Sequence, residues 1–420
     1  MALKKNSLGP HKRKTISPPP PPPPYCIGNP NFDPSVAFTD EVKREEVFNV
    51  LNEGNKFETA IRVLFGLPLE DEYVYHAVAS VTLGQVQRAV ELGRGKKLCA
   101  WYEGLGEGLG EGEEEELEAV LPSSSDITAY TNIFLPSASP SSALKSFVAN
   151  AKKKSIRAAV AEHLVSKRYT HPDYVDKFKM SKSKKSKKNS RAPPVNPYFD
   201  FWVWSCQAVG WCGPVPEQKL RGHHLLPVLM HHFGCAIPSH EALSVIKILA
   251  GGRRTVLDIG SGNGYWSWVL RNHDDDNNGR YGVKTVAIDN GQSEWRVNYL
   301  PSETVCLAGT EYLASLANHK DTIMMLVYPV VGGAVSGNVE GSFTRDLMAA
   351  YKGDTVVVVG TQNHNGYTGF KNMTFDEYME REQKQNGWVR IVQIPLPSFA
   401  GKDEAMYVYQ RGEDLVSTSL

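Results

Sequence analysis

No two of the six cysteines, Cys26, Cys99, Cys206, Cys212, Cys235 and Cys306, stand at CxxC spacing. That excludes the common zinc and dithiol motifs and fits a reducing, intracellular compartment. No window approaches the roughly 18 consecutive apolar residues of a membrane-spanning helix. No apolar run of signal-peptide length opens the chain; a basic stretch leads straight into prolines. Net charge is absent too, with 46 Lys and Arg against 46 Asp and Glu. The chain as a whole therefore lacks the electrostatic footprint of a nucleic-acid binder. These absences leave an intracellular protein, cytoplasmic or nuclear, with no membrane partner and no metal centre.

What is present is unevenly distributed. At 420 residues the chain is long enough for two cores. Residues 1–35 are basic and proline-rich, with seven prolines from Pro18 to Pro24, and read as a disordered tail. Residues 36–180 read as a helical region. Val42, Val47, Val50 and Leu51 have near-helical spacing, as do Ile61, Val63, Leu64 and Leu67, with Gly54 and Pro68 as stops. An acidic Gly/Glu insert interrupts the region at 103–118, and a further helix is expected over 139–169. Residues 181–195 form a basic linker. Its run at 182–191 reads either as a solvated linker or as a nuclear-localisation or nucleic-acid patch. Residues 196–412 form the second domain and 413–420 a short tail. The aromatic stretch opening that domain, from Tyr198 to Trp211, is expected to pack against it.

Within the second domain, strands alternate with helices. A helix over 239–250 has Ser239 as N-cap and Gly251 as stop. Short apolar strands at 255–259 and 285–289 carry an acid at or next to their ends, Asp258 and Asp289. The runs at 322–328 and 355–360 are continuously apolar, as central parallel strands are when covered on both faces. Helices are expected at 265–271, 310–317, 343–352 and 374–386. The last two strands, 389–394 and 405–410, have no helix between them and must pair antiparallel. The fold class is α/β: a Rossmann-like, mostly parallel sheet whose last pair is antiparallel, as in class I methyltransferases.

The motif that bears chemistry is the turn Gly260-Ser261-Gly262-Asn263-Gly264, between a strand and a helix. Glycines there let the backbone turn sharply and approach a ligand. The spacing is GxGxG, and Tyr265 stands where the dinucleotide fingerprint needs its third glycine. Asp258 lies two residues before the first glycine, where a carboxylate repels a pyrophosphate but suits an ammonium. Asp289, followed by Asn290, ends the next strand and is placed to accept both hydroxyls of a ribose. These residues point to S-adenosyl-L-methionine rather than a nicotinamide dinucleotide.

The stretch from about 220 to 411 resembles a little-characterised branch of class I methyltransferase-like proteins. The matching segments are AIPSHEAL (236–243), GSGNGYW (260–266), YKGDTVVVVG (351–360), GYTG (366–369) and IPLP (394–397). The resemblance implies the fold and S-adenosyl-L-methionine but not the acceptor. That branch typically has an aromatic-Pro-Pro-Tyr-like segment after the fourth strand, resembling the motif with which amine methyltransferases hold a nitrogen. Here Tyr328-Pro329 is followed by Val330-Val331. The second proline and the tyrosine are missing, so the resemblance does not extend to amine methylation.

Substrate-side candidates are Tyr328, His364 and Tyr367, the latter two in the loop after the fifth strand. The pattern His223, His224, His231, His232 puts its pairs about 10 Å apart along a helix, too far to share a metal. Two functions remain. One is an S-adenosylmethionine-dependent methyltransferase whose acceptor is a small molecule or a protein. The other is a catalytically weak or inactive Rossmann-type module that recruits partners through its helical region and tails.

Overall fold

The computed structural model describes residues 28–412 apart from 78, 94–95, 97, 99–100, 103–120, 137–138, 181–194, 217–223, 273–281, 330–339, 365–368 and 371–372. The acidic insert, the basic run, the chain ends, His223, Val330, Val331 and Tyr367 thus lie outside the described residues.

Asp40 caps the helix Glu41–Gly54, its side chain accepting from the Lys43 amide. Val47 and Leu51 are buried on it, but Val42 is exposed. The stop is Asn55, in the left-handed conformation, rather than Gly54. Asn is one of the few residues other than glycine that takes that conformation readily. The helix Phe57–Phe65 ends on Gly66, ahead of Pro68. Between it and the helix Leu83–Leu92 stands a hairpin that the apolar spacing does not announce: β1 (Tyr75–His76) against β2 (Ser80–Val81). The stretch 139–169 is two helices, Pro140–Ala149 and Ile156–Ser166. Asn150 ends the first, and Ser155 caps the second by accepting from the Ala158 amide.

The main sheet has seven strands: β3 (Tyr169–Thr170), β4 (Thr255–Ile259), β5 (Thr285–Ile288), β6 (Thr322–Val327), β7 (Thr355–Thr361), β8 (Trp388–Pro395) and β9 (Glu404–Arg411). Their order is β3-β8-β9-β7-β6-β4-β5. β4 pairs in parallel with β5 and β6, and β6 with β7. β9 runs antiparallel between β7 and β8, because the short β8–β9 loop leaves no room for a crossover. The chain is therefore an α/β protein with a Rossmann-like sheet whose last pair is antiparallel. Two features go beyond the expected layout. The helical region donates the edge strand β3, antiparallel to β8. Beyond β5 the sheet ends in a single parallel bridge, Ile288 to Val305.

Alternation along the strands divides the core. Val256, Ile323 and Met325 face one apolar cluster, and Leu257, Met324 and Leu326 the other. The first cluster also holds Phe38, Val47, Phe57 and Trp202, so the helical region and this face of the sheet share one interior. The aromatic stretch is the helix Pro197–Val209, capped by Asn196. Trp204 stacks on Phe57 with centroids 5.6 Å apart and donates Nε1–H to the Leu51 carbonyl at 3.1 Å. Trp202 and Trp211 both donate to the Ser398 carbonyl, at 3.1 and 2.8 Å. These three indoles thus have their N–H groups satisfied while their rings fill the seam. Among the described residues no helix is long and apolar enough to cross a membrane.

Residues 28–35, grouped with the tail on composition, make defined contacts. The Phe32 ring packs on Phe38 and Phe65, with centroids 5.9 and 5.2 Å away, and Asn29 Nδ2 donates to the Phe65 carbonyl at 3.2 Å. A chain beginning at residue 36 is expected to melt at least about 2 °C below one beginning at residue 28. Equal melting temperatures in a circular-dichroism scan would show that this packing adds no stability.

Candidate functional site

β4 delivers the chain to the glycine turn, where φ is +72° at Gly260, +57° at Gly262 and +78° at Gly264. Three left-handed residues within five demand glycine. The Gly260 and Ser261 amides donate to the Ile288 carbonyl at 2.8 and 3.1 Å, which binds the turn to β5. Asp289 completes the fastening. One carboxylate oxygen accepts from the Gly262 amide and the other from the Gly291 amide, each at 2.8 Å. The acid that ends β5 is thereby held against the loop that ends β4.

A cavity of about 570 Å³ opens at this carboxyl edge, within the usual range for ligand pockets. Gly260, Gly262, Asp289, Asn290, Phe343 and Tyr328 are among the residues that border it. A smaller recess of about 30 Å³ lies beside it, bordered by Asp258, Gly260, Ser261, Gly262 and Asn263. Asp258 is 1 % exposed; its Oδ2 accepts from Ser267 Oγ at 2.8 Å. Its Oδ1, like Ser261 Oγ, has no hydrogen-bond partner among the described residues. Burial pushes the Asp258 pKa up to about 7. A buried carboxylate oxygen without a donor is costly unless a donor arrives, and a ligand ammonium is such a donor. Asp289 keeps lone pairs for two hydroxyls, since each oxygen accepts one bond from the protein. The residues present thus fit the ribose and ammonium of S-adenosyl-L-methionine.

Two of the expected contacts have other roles in this structure. Asn263 is 2 % exposed and braces the turn, accepting from the Tyr265 amide at 3.2 Å and donating to the His232 carbonyl at 3.3 Å. Gly264 borders neither space. A Cβ there would meet Leu300 at an ordinary 3.5 Å, so the φ of +78°, not tight helix–strand packing, requires the glycine.

Tyr328 borders the cavity at the end of β6, with φ +54°. Behind its ring, Lys402 Nζ lies 4.3 Å from the centroid, pairs with Glu404 at 3.0 Å and donates to the Cys235 carbonyl at 2.5 Å. Burial raises the Glu404 pKa, opposed by Lys402 and by the Tyr328 hydroxyl. Nothing in the string Lys402-Asp403-Glu404 marks these charges as buried; only the packing shows it. His364 lies apart from the cavity, mostly exposed and 2.9 Å from Glu377.

The helical region also reaches this edge, which sequence patterning does not reveal. Tyr73 and His76 border the cavity beside His231. His231 Nε2–H donates to the His76 carbonyl at 2.7 Å, and its Nδ1 lies 3.4 Å from the Tyr73 hydroxyl. His232, fully buried, lies 3.2 Å from the Tyr75 hydroxyl. Burial lowers the pKa of both histidines. Among the described residues no group of His, Cys, Asp and Glu is arranged to hold a metal ion.

No family model and no curated protein matches the chain. Solved structures similar to it include an rRNA methylase from Streptococcus thermophilus, at 13% identity and TM-score 0.26, covering 39% of this chain and 92% of that one. A SAM-dependent methyltransferase from Aquifex aeolicus is similar at 14% identity and TM-score 0.27, covering 44% and 93%. A possible exported protein from Bordetella parapertussis is similar at 11% identity and TM-score 0.28, covering 69% and 96%. The fold class is carried by the strand order and directions, not by these scores.

A Cβ on Gly262 would come within 2.8 Å of the Trp295 ring, whereas one on Gly264 finds room. Gly264→Ala is expected to cost only the left-handed strain, about 1–2 kcal/mol, and to leave ligand binding measurable. Gly262→Val is expected to retain the sheet by circular dichroism but to lose binding of S-adenosylhomocysteine in a titration. A folded Gly262→Val chain that binds as tightly as the parent would remove the turn from the site.

Proposed function

We propose that the chain is an S-adenosylmethionine-dependent methyltransferase. The observation that supports this most is the pair of carboxylates flanking one glycine turn: Asp289 fastened to the Gly262 amide, and Asp258 buried with an unpartnered oxygen. On this reading Asp289 and Asn290 hold the ribose, and Asp258 and Ser261 the amino-acid arm. The cofactor supplies an electrophilic methyl group. The chain's own contribution is to bind, orient and exclude water, which can supply much of the acceleration without a catalytic triad. Tyr328 is the acceptor-facing wall, and Lys402 with Glu404 fixes its ring. The cavity of about 570 Å³ must take both reactants. The acceptor is therefore a small molecule or a protruding side chain.

A second reading, a ligand-binding module without transfer, is favoured by one feature: the Trp295 ring rests on the glycine turn, within 2.8 Å of where a Cβ on Gly262 would stand.

Calorimetric titration with S-adenosylhomocysteine tests the first reading. A ligand ammonium prefers the ionised Asp258, whose pKa lies at about 7 in the free protein. Lowering the pH protonates it, so affinity is expected to fall on the order of tenfold between about pH 7 and 5.5. Asp258→Asn should remove that dependence. Asp289→Ala should weaken binding roughly ten- to hundredfold, the effect of a lost charge-assisted hydrogen bond. A parent chain that binds nothing, or binds with no pH dependence, contradicts the assignment.

A further inference from the structure

Trp295 lies on the loop after Asp289 and is 8 % exposed. It borders both the large cavity and the recess. Its Cζ2 lies 2.8 Å from where a Cβ on Gly262 would stand, so the indole rests directly on the glycine turn. Its Nε1–H has no acceptor among the described residues. The loop is fastened on either side of the ring. Upstream, Asp289 holds Gly291. Downstream, the Arg296 amide donates to the His231 carbonyl at 3.0 Å, and the guanidinium pairs with Asp71 and lies 4.4 Å from the Tyr73 ring centroid.

The indole, with Cys235, Gly260, Gly262 and Val327, borders both spaces, and the ligand-binding groups fall into two sets around it. Asp289 and Asn290 lie on the cavity side, and Asp258 and Ser261 on the recess side. A recess of about 30 Å³ has room for roughly one or two waters, not for an amino-acid group. A nucleoside held by Asp289 and Asn290 alone stays on the cavity side of the turn and needs no contact with Asp258. A ligand that reaches from Asp289 to Asp258 crosses the glycine turn, on which the indole rests.

We propose that Trp295 is a movable partition and a specificity-determining residue. It separates the nucleoside half of the site from the amino-acid half, and a ligand of the S-adenosylmethionine class displaces it. This rests on the cofactor reading above. The displacement burdens only ligands that carry the arm, because the apparent dissociation constant rises as the open fraction falls. The unpartnered Nε1–H lightens that burden, since the indole loses no hydrogen bond on leaving.

The experiment compares S-adenosylhomocysteine with 5′-methylthioadenosine, which has the nucleoside but no amino-acid arm. Both are titrated into the parent, Trp295→Ala and Trp295→Phe, after circular dichroism confirms folding. Trp295→Ala is expected to bind S-adenosylhomocysteine at least about fivefold more tightly, with 5′-methylthioadenosine changed by less than about twofold. Trp295→Phe, which keeps a ring, should fall between. In stopped-flow fluorescence the parent's association rate should saturate with S-adenosylhomocysteine and stay linear with 5′-methylthioadenosine. That kinetic contrast decides the matter should Trp295→Ala not fold. Equal changes for both ligands, no change for either, or linear rates for both would overturn the partition while leaving the cofactor reading intact. Failure of both ligands to bind the parent and the variants would overturn the cofactor reading and the partition together.

Discussion

The structure turns on five residues, Gly260 to Gly264. Their three left-handed glycines stop β4, start the helix Tyr265–Asn272 and turn the Gly260, Ser261 and Gly262 amides toward the end of β5. One of those amides is taken by Asp289, which ties the ends of β4 and β5 together. The same turn sets Asp258 behind the loop and Asp289 in front of it. Two carboxylates of opposite environment result. One is buried and pushed up to a pKa of about 7, and the other borders an open cavity. Such a division of environments is a recurring mark of binding and catalytic sites.

Around that turn, the helical region does more than decorate the sheet. It supplies β3 to the sheet edge, Phe57 to stack on Trp204, and Tyr73 and His76 to the cavity wall. The Arg296–Asp71 pair, 2 % and 8 % exposed, joins the loop carrying Trp295 to the segment carrying Tyr73. A buried pair of this kind is weak evidence for stability, but losing one partner strands the other charge. The position of the indole is thereby linked to a segment more than two hundred residues away in sequence.

Much of the sheet was legible in the sequence, because period and composition are local. The continuously apolar runs became β6 and β7, buried on both faces, and the short final loop forced the antiparallel pair. Ser239 caps its helix and Gly251 ends it in the left-handed conformation, as their types imply. Boundaries set by competing residues were less legible. Asn55 took the stop from Gly54, and Asn150 to Ser155 broke one expected helix into two. The hairpin β1–β2 and the strand β3 span two residues each, too few for any periodicity to register. At the site, the glycines, Asp258 and Asp289 carry a local pattern. Trp295, Lys402 and Glu404 carry none, since their roles come from long-range packing.

Whether one ligand spans both sides of the glycine turn is tested most directly by a crystal structure of the chain with S-adenosylhomocysteine. The expected density places ribose hydroxyls on the Asp289 carboxylate, the ammonium within hydrogen-bond distance of Asp258 Oδ1, and the Trp295 ring off Gly262. Density for the ligand elsewhere, or across the turn with neither carboxylate in contact, would contradict that placement.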